Sequence, residues 1–250
     1  MHKNKQELFG RDYFEKETQE QKALRGYNDR GARLFAQIVG RALYESIRPR
    51  CSLDIGCAKG YLVAFLNSLG IDAHGLDVST YAVSCASQQI KERLFVIDAE
   101  ESPLPFPDNY ADLISILEVL EHMRSFNWIT AETGRILKNG GYLLISTPNP
   151  WGRFAKIDPT HINVKPRSYW EKLFAKEGFL PVKSKVWETF RKTFLAEFKK
   201  AMPGNPPTTG ISLMLNKMGG VGSALRSVLP YVDYFSCLRS DEIMLLEKLR

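Results

Sequence analysis

From residue 51 onward the chain alternates between two hydrophobic patterns. Short apolar runs bounded by turn residues read as buried strands, and longer segments with apolar positions every three or four residues read as helices. CSLDIG predicts a first strand and YLVAFLNSLG a helix closed by Gly70. IDAHGLD predicts a second strand, and STYAVSCASQQ a helix with Ser79 as its N-cap, where a hydroxyl accepts from an orphan first-turn N–H. RLFVIDAE predicts a third strand, and YADLISILEVLEHM opens with a fourth. NWITAETGRILKNGG predicts a helix ending at its glycine pair, and GYLLISTPNP a fifth strand stopped by Pro148. KPRSYWEKLFAKEGF predicts a helix from Lys165 or Pro166 to Gly178, LPVKSKVWET a sixth strand, and DEIMLLEKL a last one.

Alternation of this kind implies right-handed crossovers and an α/β fold: a seven-stranded, mostly parallel sheet with helices on both faces. Two regions interrupt it. Residues 1–50 read as an N-terminal helical cap, with Leu34, Phe35, Ile38 and Val39 on one side. Residues 189–232 read as a helical lid inserted before the last strand; they carry Phe190, Phe194 and Phe198 at i, i+4, i+8 between basic residues. The expected boundaries are therefore a cap over 1–50, a ligand-binding core over 51–188, the lid over 189–232 and a final strand within 233–250. The phenylalanine stripe has two readings. It packs into a core, or it presents an apolar face with basic flanks to an anionic membrane surface or a lipid-linked substrate.

Composition changes little in this picture: 250 residues, 44% hydrophobic and 25% charged, suit one substantial core with an elaboration. No apolar run approaches the roughly 18 residues of a spanning helix, and the charged start MHKNKQELFGRDYF is not expected to be a signal peptide. Cys51, Cys57, Cys85 and Cys237 form no C-x-x-C pair. Neither a zinc site nor a disulfide framework is expected, and a reduced, cytoplasmic compartment fits, with peripheral membrane contact as a variant.

The net charge of +6 is unevenly spread: residues 51–150 hold six Lys/Arg against twelve Asp/Glu, and residues 151–250 hold seventeen against nine. An acidic centre suits a cationic ligand, and basic flanks suit an anionic acceptor or surface.

The chemistry centres on LDIGCAKGYLVAFL, residues 53–66, where a strand turns into a helix through two glycines. Such a turn brings backbone close to a ligand. A phosphate-binding loop needs G-x-x-x-x-G-K-[ST], but Lys59 precedes Gly60. A dinucleotide loop needs G-x-G-x-x-G, but Ala58 stands between Gly56 and Gly60. Three acids point elsewhere. Asp54 precedes the loop and would repel a pyrophosphate while attracting a cationic amino-acid group. Asp77 ends the second strand, where a carboxylate can accept from both hydroxyls of a ribose. Asp98, followed by Ala99, ends the third, where an acid can accept from an adenine amino group. Each acid also has a plainer reading: Asp54 or Asp77 as a helix cap, Asp98 as a strand end. Cys57 reads as a small packed residue whose backbone matters more than its thiol.

LDIGCAKG, HGLDVS, VIDAEESPLPFPDNYADLI, SILEVLEHM and LKNGGYLLISTPNP, in this order, resemble the class I S-adenosylmethionine-dependent methyltransferases, over about residues 50–180 and the final strand. The likeness is closest to the branch acting on small molecules and on lipid or glycan precursors. It implies a Rossmann-like core binding S-adenosyl-L-methionine and releasing S-adenosyl-L-homocysteine. Asp54, Gly56, Cys57 and Gly60 would wrap the methionine part, Asp77 the ribose, Asp98 and Ala99 the adenine, and Glu118 would lie near the amino-acid moiety. Family members usually have glycine where Ala58 stands, so a slightly altered turn is expected.

Methyl transfer from a sulfonium needs alignment and exclusion of water, with no metal. If the acceptor must lose a proton, His161 in IDPTHINVKPRSYW is the first candidate base and His122 the second; each could instead fix a turn or a helix start. Asp158 could orient His161 or contact substrate. Tyr13, Phe14 and Tyr27 of the cap would close over the donor. The expected reaction is methyl transfer to a small-molecule, sugar or lipid-linked acceptor, at oxygen. An RNA methyltransferase, disfavoured by the absence of a recognisable RNA-binding module, and a non-catalytic cofactor-binding partner are the alternatives, with a nicotinamide dehydrogenase behind them.

Overall fold

The computed structural model describes residues 4–15, 29–151, 155, 158–183, 185–201 and 243–249. Seven strands lie in the order β3-β2-β1-β4-β5-β7-β6, with β1 at Cys51–Ile55, β2 at Asp72–Asp77, β3 at Leu94–Val96, β4 at Ala111–Leu117, β5 at Leu137–Ser146, β6 at Phe179–Pro181 and β7 at Ile243–Lys248. The first five pair in parallel, while β7 runs antiparallel to both β5 and β6. The chain order reverses between β1 and β4, so the carboxyl ends of β1, β2 and β4 meet at one crevice, where open α/β sheets bind ligands.

The central strands are apolar along their whole length because both faces are covered. Successive side chains alternate between two cores. On one face Leu113, Leu144 and Leu245 pack with three helices: α3 (Asp29–Ile47), α4 (Tyr61–Ser68) and α8 (Lys185–Ala201). On the other, Leu53, Ile55, Ile114, Ile116, Leu143, Ile145, Met244 and Leu246 pack with α6 (Asn127–Ile136) and α7 (Arg167–Ala175). Trp170 and Phe174 of α7 and Phe179 of β6 are fully buried there.

Three expected boundaries move. The glycine pair does not end a helix: α6 stops at Ile136 and β5 begins at once. Gly140 sits at φ 76 inside β5, and the register jumps between Ala111↔Leu137 and Leu113↔Tyr142. A side chain on Gly141 would approach the Lys138 carbonyl oxygen to 2.8 Å, so the pair forms a bulge. The sixth strand is only Phe179–Pro181, and LPVKSKVWET passes into α8 from Lys185 onward. The alternation in VKSKV loses to the helical period that Phe190, Phe194 and Phe198 continue. Ser79 does cap a helix, accepting from Ala82 N, but that helix, α5, is only Thr80–Ser84.

The phenylalanine stripe is core. Phe190, Phe194 and Phe198 are buried with Phe35, Ile38, Val39 and Leu43 of α3, so the stripe offers no apolar face to a membrane. The rest of the expected lid, from residue 202 to 232, lies outside the described residues, as does Tyr27. No described helix is long and apolar enough to cross a membrane. The cap divides in two: α3 packs in the core, with Leu34 at its margin, whereas α1 (Lys5–Leu8) and α2 (Arg11–Glu15) lie at the crevice.

Candidate donor and acceptor site

The glycine loop is shaped by left-handed backbone. Gly56 has φ 79, and a side chain there would come within 2.1 Å of Val119 Cγ2; Gly60 has φ 73 and caps α4 without a side-chain bond. Gly56 N and Cys57 N both donate to the Leu76 carbonyl, at 2.8 and 3.0 Å. Ala58 also takes φ 48. This is left-handed backbone, which costs a residue with a side chain about 1 kcal/mol relative to glycine. The Ala58 N–H is held by Asp77 Oδ2 at 2.8 Å.

The acids have distinct surroundings. Asp54 is buried and accepts from Ser115 Oγ at 2.5 Å. Burial pushes its pKa up to about 7, with Asp77 adding repulsion. It caps no helix, since the N-cap of α4 is Gly60. Asp77 accepts from Ser79 N at 2.7 Å and from Ala58 N at 2.8 Å. Burial raises its pKa against these bonds. Each oxygen of a carboxylate offers two acceptor sites, so Asp77 is pinned yet retains capacity for hydroxyl donors. The N-cap of α5 is Ser79, not Asp77.

Asp98 lies in a cleft of 390 Å³ whose walls include Val78, Val96, Ile97 and Arg124. It accepts from Glu100 N at 3.0 Å and pairs with Lys5 Nζ at 2.7 Å. Lys5 also reaches Glu100, at 2.6 Å. Ala99 is buried beside them. The cap is fastened here by further bonds: Gln6 Nε2 donates to the Val78 carbonyl, Thr80 N donates to Gln6 Oε1, and Ser79 Oγ donates to the Phe9 carbonyl. Cys57 is buried against Gly75, and burial pushes its thiol well above the usual range, so it is not a reactive nucleophile.

After β4 the backbone turns sharply. Glu118 takes φ 54, donates its N–H to the Ser146 carbonyl at 3.0 Å and accepts from Ser146 Oγ at 2.8 Å. Burial pushes its pKa up to about 7. Glu121 and His122 follow in a single 3₁₀ turn, Leu120–His122. The loop carrying His161 is tied to that turn, since Ile162 N and Asn163 N both donate to the Glu121 carbonyl at 2.9 Å. The two candidate bases thus meet, with ring centroids 4.8 Å apart. His122 Nδ1 lies 3.2 Å from the Thr160 carbonyl. Asp158 accepts from Thr160 N and Oγ1, and its other oxygen is 3.9 Å from His161 Nε2. Burial, reinforced by His161, lowers the His122 pKa to about 4. Phe9 and Tyr13 of the cap stand edge-on to His122, at 5.4 and 6.4 Å between centroids.

Sequence reading therefore brought together Asp54, Asp77, Glu118, His122 and His161 at one sheet edge, with Asp98 at the end of the neighbouring cleft. It missed Glu121, although E-x-x-E-H was visible in SILEVLEHM, and it missed Lys5, for which the sequence carries no signal.

Residues 53–145 match a family model described as a methyltransferase domain. A probable S-adenosylmethionine-dependent methyltransferase of Mycobacterium tuberculosis is 27% identical over 150 residues, covering 57% of this chain and 54% of that protein. The ubiquinone biosynthesis O-methyltransferase of Burkholderia lata is 34% identical over 103 residues, 39% of this chain and 44% of that one. The chain thus spans about half the length of the curated relatives it matches. A solved S-adenosylmethionine-dependent methyltransferase of Archaeoglobus fulgidus superimposes over 92% of this chain and 98% of its own, with a TM-score of 0.58 and 18% identity, a likeness of fold. Residues 53–145 are thus similar in sequence to a methyltransferase domain, and the chain's strand order is that of a fold it shares with a solved S-adenosylmethionine-dependent methyltransferase.

Proposed function

We propose that the protein transfers the methyl group of S-adenosyl-L-methionine to a hydroxyl oxygen of a small-molecule acceptor. The observation that carries this reading is the row of acids around the glycine loop: Asp54, buried behind it, Asp77, buried and hydrogen-bonded to it, and Asp98, half-buried in the adjoining cleft. The donor set fits a cationic nucleoside. Asp54 is a desolvated acid that a cationic amino group would re-ionise, and Asp77 has acceptor capacity to spare. Val78, Val96 and Ile97 give apolar walls for a base. A pyrophosphate would meet these carboxylates unfavourably.

When bound, S-adenosyl-L-methionine supplies an activated methyl group, and the chain's own work is placement. Asp77 would hold the ribose, Asp98 and the Ala99 backbone the adenine, and Asp54, Gly56, Cys57, Gly60 and Glu118 the amino-acid end. Phe9 and Tyr13 would exclude water above His122. His161, flanked by Asp158, would take the acceptor's proton on Nε2, and His122, neutral at pH 7, would keep a second positive charge away from it. The name of the Burkholderia lata relative, an O-methyltransferase, supports oxygen as the acceptor atom.

Calorimetry tests the donor site. Asp77→Ala is expected to weaken S-adenosylhomocysteine binding roughly 10- to 100-fold, the loss of two hydrogen bonds to a charged acceptor. Unchanged affinity would refute the assignment. Methyl-release assays over extracted metabolite fractions, with mass analysis of the product, test the acceptor class; methylated RNA or protein as the sole product would overturn it.

A further inference from the structure

We propose that Glu121, His122 and His161 form a divalent-metal site of the two-histidine, one-carboxylate kind beside the methyl-transfer position. Their ligand atoms all lie within 4.8 Å of one another, and Glu121 Oε1 is 3.9 Å from His122 Nε2 and 4.0 Å from His161 Nε2. A tetrahedral ion with bonds near ~2.1 Å has ligand atoms roughly 3.4 Å apart. The two Glu121 contacts must therefore draw in by about half an ångström, and the widest pair of ligand atoms by up to about 1.4 Å. All three sit on a turn and a loop, not on the rigid strands, so this closure is cheap.

Glu121 is the second observation. Its side chain is wholly buried, and neither carboxylate oxygen accepts a hydrogen bond from any described residue. A buried acid so placed either keeps its proton or is met by a cation. The surroundings favour the cation. His122 Nδ1 faces the Thr160 carbonyl at 3.2 Å, which fixes the proton on Nδ1 and turns the Nε2 lone pair toward Glu121. That outer hydrogen bond is the usual support of a metal-binding imidazole. The Glu121 carbonyl, accepting from Ile162 N and Asn163 N, locks the two halves of the site together.

Two imidazoles and one carboxylate select a zinc-, cobalt- or iron-like ion over magnesium or calcium, and three protein ligands leave a coordination position open. One consequence rests on the transfer reading above. An acceptor hydroxyl at the open position would become more acidic and release its proton to water. The base role given to His161 then belongs only to the metal-free protein. The site itself does not depend on that reading.

The test uses tag-free protein stripped with a chelator, without cofactor or acceptor. Titration with Co2+ is expected to produce the visible absorption band of a low-coordinate cobalt site and to saturate at about one equivalent per chain, as is zinc measured by elemental analysis after dialysis. Glu121→Gln and His161→Ala should each weaken Co2+ binding by at least about tenfold. His74→Ala, on β2 away from the cluster, should leave it unchanged. Circular dichroism melting reports whether each variant is folded, and Glu121→Gln, which removes a buried charge at constant shape, is expected to be. Folded wild-type protein that takes up neither ion overturns the proposal and leaves Glu121 and Glu118 as acids sharing a proton. Because S-adenosylhomocysteine affinity is measured separately, that failure is distinguishable from failure of the donor site.

Discussion

At the scale of single residues the proposed donor loop sets stability against ligand binding. Asp54 shows the sign of the trade. Its folded pKa, about 7, lies above the usual carboxylate value. The folded state therefore binds a proton more tightly than the unfolded chain. The stability this gives is fully present below about pH 4 and is lost as pH rises through about 7. At pH 8 the ionised, buried acid costs roughly 2–4 kcal/mol. Asp54→Asn, which mimics the neutral acid and can still accept from Ser115, should raise the melting temperature of the ligand-free protein by several degrees at pH 8 and by little at pH 5, while weakening donor binding. A difference that does not change with pH would contradict this account. The position of Asp54 was legible because it precedes Gly56 in LDIG; its burial and its Ser115 partner were not, since Ser115 comes from another strand. Ala58 was legible as the departure from the family pattern. That it sits in left-handed backbone needed φ 48 to be seen.

At the scale of elements, local pattern and tertiary packing disagreed after β6, the strand at the sheet's far edge. Strand existence in the parallel core was readable because strands buried on two faces are written as continuous apolar runs. VKSKV offered alternation without burial, and the helical period of Val186, Phe190, Phe194 and Phe198 prevailed because α3 provides an apolar face to receive it. The same packing decides between core and membrane roles for the stripe. Phe190 is 1% exposed, whereas Leu195, on the same helix, is 36% exposed. Phe190→Ala should destabilise the fold by about 3–5 kcal/mol, and Leu195→Ala by no more than about 0.5 kcal/mol, read as shifts of the urea midpoint. Equal, small effects would mean that α8 does not pack as described. Liposome binding by a folded wild type, lost in Leu195→Ala and kept in Phe190→Ala, would point to a membrane role for the outer face instead.

At the scale of the whole molecule, the acidic middle of the chain and the basic start meet at the crevice. Neither was interpretable alone: the excess of acid over residues 51–150 could have been a solvated surface, and the cap a separate helical unit. In the fold the acids converge at the carboxyl ends of adjacent strands, and Lys5 enters their cleft to pair with Asp98 and Glu100. Further fastenings of α1 and the residues after it reach Val78, Ser79 and Thr80, the residues next to Asp77, and Tyr81 beyond them. The strap is thus attached to the walls of the proposed donor cleft and not to the two hydrophobic cores, since Phe14, its one buried side chain among the described residues, belongs to neither. Binding and closure are then coupled, because a ligand under the strap is released only when the strap opens. Removing residues 1–15 should leave the melting temperature within a few degrees of the intact protein, since both cores persist. It should weaken S-adenosylhomocysteine binding roughly tenfold, mostly through faster dissociation, as read by stopped-flow displacement. If dissociation is unchanged, the strap is a passive cover. If affinity rises instead, Lys5 competes with the ligand for Asp98, and the single variant Lys5→Met should reproduce that rise.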